Sequence, residues 1–206
     1  NEQPALIDSL VTIAENSPVN TVATGTVTAT DVDAEQKLTF TILNGNVGDA
    51  FAIESVTDKT ARIRVQTATL NFENVNTYTL QVRATDNSTV ADRGAPLFDD
   101  ATITINLLDQ NDPPVLSNAN REVEENSISP VVVGTPVTGT DEDVADVTFV
   151  YTVIGGSGCP GGVKNAACLF EIPEADQNSG QIRVRGQPAL DFETASSYTL
   201  TVRMTD

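Results

Sequence analysis

The sequence predicts an all-β protein made of two tandem β-sandwich domains. Three observations support this prediction: apolar and polar residues alternate along most of the chain, no long segment shows a helical period of 3.6 residues, and the second half repeats the first. The length of 206 residues suits two domains of about 100 residues each.

Short alternating segments rich in Val, Ile, Thr and aromatic residues predict the individual strands. In the first half these segments are VTIAEN, TVTAT, KLTFTI, ARIRV, YTLQVRA and ATITINLL. Clusters of Gly, Asn, Asp and Pro separate them, and these residues favour turns. Because alternate residues of a strand lie on one face, each segment would bury one of its faces in a core.

The second half of the chain repeats the motifs of the first half in the same order. Glu15 in VTIAENSP and Glu125 in EVEENSISP are 110 positions apart, whereas the later motifs LNFE and LDFE are 120 positions apart. The ten additional residues fall in the region that holds Cys159 and Cys168. Recurring apolar pairs are predicted to be core residues: Tyr78 and Tyr198, Phe72 and Phe192, and Leu80 and Leu200.

The repeat also predicts the domain boundaries. The first domain is predicted at residues 1–112, including a linker, and the second at residues 113–206. NEQPAL at residues 1–6 aligns with the linker NDPPVL at residues 111–116, so we expect the chain to start within the linker from an earlier repeat. ATITINLLDQNDPP has no counterpart after Asp206, so we expect the final strand of the second repeat to lie outside this sequence.

The composition is strongly acidic, with 29 acidic and 11 basic residues and a net charge of −18. Nucleic acid is therefore excluded as a partner, because phosphate binding needs a basic face. The 39% of hydrophobic residues alternate regularly, which argues against disorder. No apolar run approaches the ~18 residues of a membrane span, so we expect no membrane contact from these residues. Excess carboxylate in a folded β protein instead suggests hard cations such as Ca²⁺.

The chain contains no His, which removes the commonest general base and zinc ligand. Cys159 and Cys168, in CPGGVKNAAC, favour a disulfide that closes a short loop in an oxidising compartment. Two free, buried thiols are the alternative. Asn87 begins Asn-Ser-Thr and is a candidate for N-glycosylation in a secreting eukaryote.

The acidic residues concentrate in short motifs at the ends of predicted strands: AEN, DVD, NFE, TD and DQND. Ca²⁺ takes six to eight oxygen ligands, and carboxylates one residue apart can converge where a strand gives way to a loop. Carboxylates gathered a few ångströms apart repel one another, and bound divalent cations remove that repulsion. Taken singly, DVD or ATD is better explained as a turn than as a ligand pair, and DQNDPP can be a plain linker stiffened by Pro.

The motifs ENSP, DVD, LNFE or LDFE, YTLQVRATD and DQNDPP together resemble the cadherin repeat, and the resemblance covers almost the whole chain. They occur in the expected order and are found twice, except for the second linker. DQNDPP is similar to the linker motif of the family, Asp-x-Asn-Asp followed by Pro. The resemblance implies two tandem Greek-key, immunoglobulin-like β-sandwich domains joined by a calcium-binding linker.

The resemblance also implies a shared site for two or three Ca²⁺ ions at the junction of the repeats. Its ligands would be Glu15, Glu73, Asp109, the Gln110 carbonyl, Asn111, Asp112, Asp141, Asp143 and Asp206. Half sites facing neighbouring repeats would contain Asp31, Asp33 and Asp86 with Asn1 and Glu2, and, at the other end, Glu125, Asp191 and Glu193.

Two departures from the family pattern bear on the number of ions. Asn71 stands where the family usually has Asp, which Asp191 retains in the second repeat, and a neutral side chain bridges two cations less well. The Gly-x-Asn that follows the Asp pair in the family is replaced by Glu35 and Lys37, and by Ala145 and Val147. Asp146 is the candidate replacement ligand in the second repeat.

These observations predict a calcium-dependent extracellular adhesion or spacer module, within a larger secreted or membrane-anchored protein. Its partners would be adjacent repeats of the same chain, with another copy of itself, a surface protein or a glycan as further candidates. The alternative is a carbohydrate- or protein-binding module of a surface adhesin or extracellular filament. A glycosidase using Asp191 and Glu193 is disfavoured, because Asn71 replaces one carboxylate in the first repeat and no Trp is present to stack on a sugar. We therefore expect no enzyme activity.

Overall fold

The chain folds into two compact units, Asn1–Gln110 and Asn111–Asp206. The structure is a computed structural model, and it describes residues 1–33, 35–89, 94–143, 148–161, 167–185 and 189–206. In these ranges the helical segments are the 3-10 turns Val47–Asp49 and Glu174–Asp176, and none is long and apolar enough to span a bilayer. The predicted all-β fold is confirmed.

Unit 1 is a sandwich in which the described residues form two four-stranded sheets. Its strands are β1 (Ala5–Leu6), β2 (Ser9–Ala14), β3 (Val27–Thr30), β4 (Thr39–Asn44), β5 (Phe51–Thr57), β6 (Thr60–Val65), β7 (Thr77–Thr85) and β8 (Phe98–Leu108). One sheet has the order β1-β3-β6-β5 and the other β2-β8-β7-β4. Neighbouring strands are antiparallel, except that β2 and β8 run parallel.

The core of unit 1 lies between the inner faces of these sheets. Strands β7 and β8 alternate as the sequence predicts, and Leu80 and Ile103 on their inner faces are 0% exposed. Phe51 packs edge-to-face against Tyr78, with ring centroids 5.0 Å apart. Full burial of one such side chain stabilises the fold by about 1.5–3 kcal/mol. The alternation gives each strand one apolar face, and the burial of these faces between the two sheets is the main driving force that closes the sandwich.

Unit 2 has shorter strands around a smaller core. Its strands are β9 (Val115–Leu116), β10 (Gly139–Thr140), β11 (Val150–Gly155), β12 (Phe170–Glu171), β13 (Arg183–Val184) and β14 (Thr201–Thr205). They pair antiparallel as β9–β10, β11–β14 and β12–β13. Phe170 packs edge-to-face against Tyr198, repeating the aromatic pair of unit 1. The predicted disulfide between Cys159 and Cys168 is present, and both residues are buried in this core.

One wall of unit 2 departs from unit 1. Strand β14, the equivalent of β7, pairs with β11 alone among the described strands, and no described residue of unit 2 takes the place of β8. Leu200 is only half-buried, although its equivalent Leu80 is fully buried. The prediction that Phe192 is a core residue is wrong, because its side chain is 61% exposed.

The substitution Leu80→Ala should lower the free energy of unfolding of unit 1 by about 2–5 kcal/mol, because it leaves a cavity in a close-packed core. Leu200→Ala at the equivalent, half-buried position of unit 2 should cost clearly less. Urea unfolding followed by the amide signals of each unit in an NMR series measures both values. Equal losses at the two positions would contradict the difference in packing.

Candidate metal centre

A buried carboxylate organises the end of unit 1 from which the linker departs. Glu15 follows β2 and is 2% exposed. Its Oε2 accepts a hydrogen bond from the Phe72 backbone N–H at 2.6 Å, and its Oε1 accepts one from the Gln110 N–H at 2.8 Å. The Glu15 N–H donates to the Leu108 carbonyl at 3.0 Å. One side chain therefore ties the end of β2 to the segment before β7 and to the residue that follows Asp109.

Three carboxylates gather at this end of unit 1. Glu15, Glu73 and Asp109 each place a carboxylate oxygen within 4.8 Å of the others, and we call this group the linker-side cluster. Like unit charges about 4 Å apart repel by about 1 kcal/mol in water and by about 4 kcal/mol near a protein surface. An all-oxygen group of this kind fits a hard divalent cation such as Ca²⁺, which would offset the repulsion.

The opposite end of unit 1 carries the loop of Asp31 and Asp33. The Asp33 N–H donates to Asp31 Oδ1 at 2.8 Å, which folds the loop into an Asx turn. The Glu2 N–H donates to Asp33 Oδ2 at 2.9 Å, so the start of the chain is fixed to the same loop. Asp86, the third acidic residue predicted here, is buried, and its two oxygens accept from the N–H groups of Ser88 and Leu97 at 3.0 and 3.1 Å.

Unit 2 builds the same arrangement from the equivalent residues. The Asp143 N–H donates to Asp141 Oδ1 at 3.0 Å, and the Asp112 N–H donates to Asp143 Oδ2 at 2.6 Å. Asn111 Nδ2 donates to Asp206 Oδ2 at 2.7 Å. The linker residues Asn111 and Asp112 are therefore fixed to the carboxylates of unit 2, whereas Gln110 is bonded to Glu15 of unit 1.

One atom in each Asp loop has an unusual environment. Asp31 Oδ2 and Asp141 Oδ2 are buried, and among the described residues neither has a hydrogen-bond partner. A buried carboxylate oxygen without a partner is costly, since it has lost water and gained nothing in exchange. A cation beside it would satisfy it, and the repetition of the same atom at equivalent positions argues against chance. The Asp loops therefore fit a cation ligand.

The far end of unit 2 holds the third predicted group, which we call the terminal cluster: Glu125, Asp191 and Glu193. Their carboxylate oxygens lie within 4.8 Å of one another, and all three residues are exposed. Hydrogen bonds from Thr194, chiefly from its side-chain hydroxyl at 2.7 Å, lower the pKa of Asp191 below its ordinary value. In unit 1 the residue equivalent to Asp191 is Asn71, whose Oδ1 accepts a hydrogen bond from the Asn74 N–H at 2.8 Å. The Asn71 side chain therefore keeps the hydrogen bond of the turn but lacks the negative charge.

Sequence reasoning missed two residues of the site. Gln36 and Ser88 are buried polar residues beside the Asp31–Asp33 loop. Gln36 Nε2 lies 2.7 Å from Asn1 Oδ1 and 3.2 Å from Asp33 Oδ2, and the Ser88 hydroxyl donates to Asn1 Oδ1 at 2.6 Å. Neither residue belongs to a repeated motif, and no spacing in the sequence sets these two apart.

Two further predictions are located as follows. Asn87 is exposed, and its Oδ1 accepts a hydrogen bond from the Lys37 N–H at 3.1 Å. Its glycosylation remains a prediction. Ala145, Asp146 and Val147 lie outside the described residues, so the replacement ligand proposed there also remains a prediction.

The substitution Glu15→Ala should destabilise unit 1 by about 2–4 kcal/mol in the presence of chelator, because it leaves two backbone N–H groups without their acceptor. Glu125→Ala is the matched control, since Glu125 is exposed and its bond from the Phe192 N–H is longer, at 3.3 Å. Chemical denaturation of both variants gives the comparison. A loss at Glu125 as large as that at Glu15 would refute the structural role of the buried carboxylate.

Known proteins resemble this chain in sequence. Residues 9–108 match the Cadherin domain family model. The chain is 30% identical over 179 residues to human Protocadherin Fat 1 and 32% identical over 201 residues to rat Cadherin-8. These matches cover 85% and 93% of this chain, but the chain spans only 3% and 23% of the length of those relatives.

The fold is also found among solved structures. The chain superimposes on the Protocadherin Gamma B2 extracellular cadherin domains 3–6 with a TM-score of 0.59 and 23% sequence identity, over 99% of this chain and 46% of that one. This likeness shows the shared sandwich architecture, while the sequence matches show the kinship. Because the motifs, the fold and these sequence matches all agree, the chain belongs to the cadherin family.

Proposed function

We propose that this chain is a pair of extracellular cadherin repeats that Ca²⁺ stiffens at their junction, and that it has no enzyme activity. The observation that carries the proposal is the buried Asp141 Oδ2, which lacks a partner among the described residues, as does the equivalent Asp31 Oδ2. Family membership supports an extracellular adhesive or spacer role, because the structural relative named above consists of extracellular cadherin domains.

The linker is the part of the chain through which a bound ion would act. The Gln110 N–H is held by Glu15 of unit 1, and the Asp112 N–H, two residues later, is held by Asp143 of unit 2. A Ca²⁺ ion ligated by the linker-side cluster and by the Asp141–Asp143 loop would restrain this short segment from both sides. Part of its binding free energy would then be used to fix the geometry of the linker.

The number of ions follows from the ligands available. The junction set offers Glu15, Glu73, Asp109, the Gln110 carbonyl, Asn111, Asp112, Asp141, Asp143 and Asp206, which suffices for two or three ions at six to eight oxygens each when carboxylates bridge. Asn71 removes one bridging carboxylate and favours the smaller number. The Asp31–Asp33 loop and the terminal cluster would need ligands from neighbouring repeats, so each alone should bind Ca²⁺ weakly.

The proposed setting is a tandem array on a cell surface or in the extracellular space. Adjacent repeats of the same protein would be the first partners, joined through the Asp31–Asp33 loop on one side and the terminal cluster on the other. Without Ca²⁺, the net charge of −18 would oppose the close approach of the acidic ends of neighbouring repeats. The Ca²⁺ concentration would therefore determine whether such an array is stiff or flexible.

Calcium titration tests the junction site. The chelator-treated chain should bind two or three Ca²⁺ ions by calorimetry and melt at a higher temperature with Ca²⁺. Asp109→Asn should lose at least one ion or weaken binding about tenfold or more, because it removes a charged ligand from the linker-side cluster. Glu54→Gln, which removes one charge from the exposed face of β5, is the matched control and should bind as the unaltered chain does. Absence of binding up to millimolar Ca²⁺ would refute the proposal.

A distance measurement tests the stiffening itself. Spin labels at the exposed positions Ser55 in unit 1 and Thr201 in unit 2 report on the geometry between the units. The distance distribution should be broad in chelator and narrow with Ca²⁺, and it should stay broad with Ca²⁺ in Asp109→Asn. Equal widths with and without Ca²⁺ in the unaltered chain would show that ion binding does not rigidify the linker.

A further inference from the structure

The exposed end of β4 carries a chemically reactive pair of residues. Asn44 is the last residue of the strand and Gly45 follows it, and this is the one place in the sequence where Gly follows Asn. The pairing of β4 with β7 is irregular here, since the register shifts between Ile42 and Asn44. The Asn44 side chain is exposed to solvent. Its amide is therefore in contact with water at the point where the regular ladder ends.

The Asn44 side chain is folded back onto the main chain of the next residue. The Gly45 N–H donates to Asn44 Oδ1 at 2.7 Å. Because a carbonyl C=O bond is about 1.2 Å long, the Gly45 nitrogen lies within about 4 Å of the side-chain carbon Cγ. Rotation about the Cβ–Cγ bond of an exposed Asn is soft, so the face of the amide can turn towards this nitrogen. The pair is thus close to the separation of about 3–3.5 Å from which nucleophilic attack proceeds.

The fold requires Gly at position 45, and it does so in both units. The φ angle of Gly45 is +83°, and a Cβ atom there would overlap the Thr79 carbonyl oxygen of β7. The equivalent Gly156 in unit 2 has a φ angle of +112°, and its Cβ would overlap the Thr199 carbonyl oxygen. The residue before it is Gly155, which has no amide side chain. Backbone geometry therefore fixes the unhindered nitrogen, and the Asn beside it is particular to unit 1.

We propose that Asn44 is a site of spontaneous covalent modification that converts it to isoaspartate and aspartate. The Gly45 nitrogen loses its proton and attacks Asn44 Cγ, and the side-chain nitrogen leaves as ammonia, which closes a succinimide ring. Water then adds to one of the two ring carbonyls and opens the ring. One opening gives Asp, and the other gives isoaspartate, in which the main chain runs through the side-chain carbon. The net reaction exchanges NH₂ for OH with water as co-reactant, so it needs no oxidant or cofactor.

The products change this edge of unit 1 in two ways. Either opening adds one negative charge to a chain whose net charge is already −18. Isoaspartate also lengthens the main chain by one methylene, where Gly45 packs against Thr79 and Asn44 is paired with Gln81. The longer main chain cannot keep both contacts, so the end of β4 should separate from β7. Because the ammonia is lost, the amide is not restored, and the modified fraction grows with the age of the molecule.

Ageing of the whole 206-residue chain at physiological pH and temperature tests the proposal. Peptide mapping by mass spectrometry with electron-transfer fragmentation detects the exchange of NH₂ for OH and distinguishes isoaspartate from Asp. We expect Asn44 to convert about tenfold or more faster than the exposed Asn178, because Ser follows Asn178 and its side chain hinders the attacking nitrogen. The rate should rise with pH, since the attack needs loss of the Gly45 N–H proton.

Two variants locate the reaction. Asn44→Gln should stop it, because the longer side chain has to close a larger ring, and the exposed position should tolerate the change. Gly155→Asn places an amide before the equivalent Gly of unit 2, where a Cβ atom would meet nothing within 4 Å. This variant should form isoaspartate at position 155 as well as at position 44.

Hydrogen exchange measures the structural consequence. In the aged chain, the amide of Gln81 should exchange about tenfold or more faster than in the fresh chain, because its pairing with the end of β4 is loosened. Asn44→Gln, aged in the same way, is the control and should keep the exchange rate of fresh protein.

Four results would overturn the proposal. The first is an Asn44 that stays intact while a free peptide of residues 39–50 forms isoaspartate, since the fold would then withhold the reactive geometry. The second is Asp as the sole product, since direct hydrolysis without a ring gives Asp alone. The third is an unchanged total yield of isoaspartate in Asn44→Gln, which would place the reaction elsewhere. The fourth is equal hydrogen exchange at Gln81 in aged and fresh chains, which would refute the loosening of β4.

Discussion

The architecture of unit 1 depends on the central position of β8. This strand is bonded on both edges, to β2 in parallel and to β7 in antiparallel, and its inward residues fill the middle of the core. It also delivers Asp109 directly to the linker-side cluster, where the buried Glu15 carboxylate accepts the N–H of the following residue. The position of β8 therefore determines both the packing of the core and the placement of the Asp109 carboxylate.

The sequence predicted the strands whose alternation reflects a buried face. The predicted segments of β2, β3, β4, β6, β7 and β8 all form. Strand β5 was not among them, because only Phe51 of its residues is fully buried and the rest of the strand shows no clear alternation. The error at Phe192 is of another kind. Its equivalent Phe72 packs against the core of unit 1, whereas Phe192 is 61% exposed, because burial depends on tertiary packing that a local motif does not encode.

The candidate site was predictable in its residues and not in its contacts. Repetition of Asp31 and Asp33 as Asp141 and Asp143 indicated their shared role, and the structure gives both pairs the same Asx turn. Spacing alone could not reveal that one oxygen of each first Asp is buried without a partner, since this depends on how the surrounding loops pack. Gln36 shows the same limit, because its contact with Asn1 joins residues 35 positions apart through tertiary folding.

The parallel pairing of β2 and β8 has a mechanical consequence for a tandem array. Six residue pairs from Ser9 to Ala14 connect β2, the second strand of unit 1, to β8, the strand that leads into the linker. Tension along the chain pulls these two parallel strands in opposite directions along their length. All of the hydrogen bonds between them are then loaded at the same time, in shear. In a hairpin pulled from its open end, by contrast, the hydrogen bonds break one after another. Unit 1 is thus arranged to resist stretching along the direction in which neighbouring repeats would transmit force.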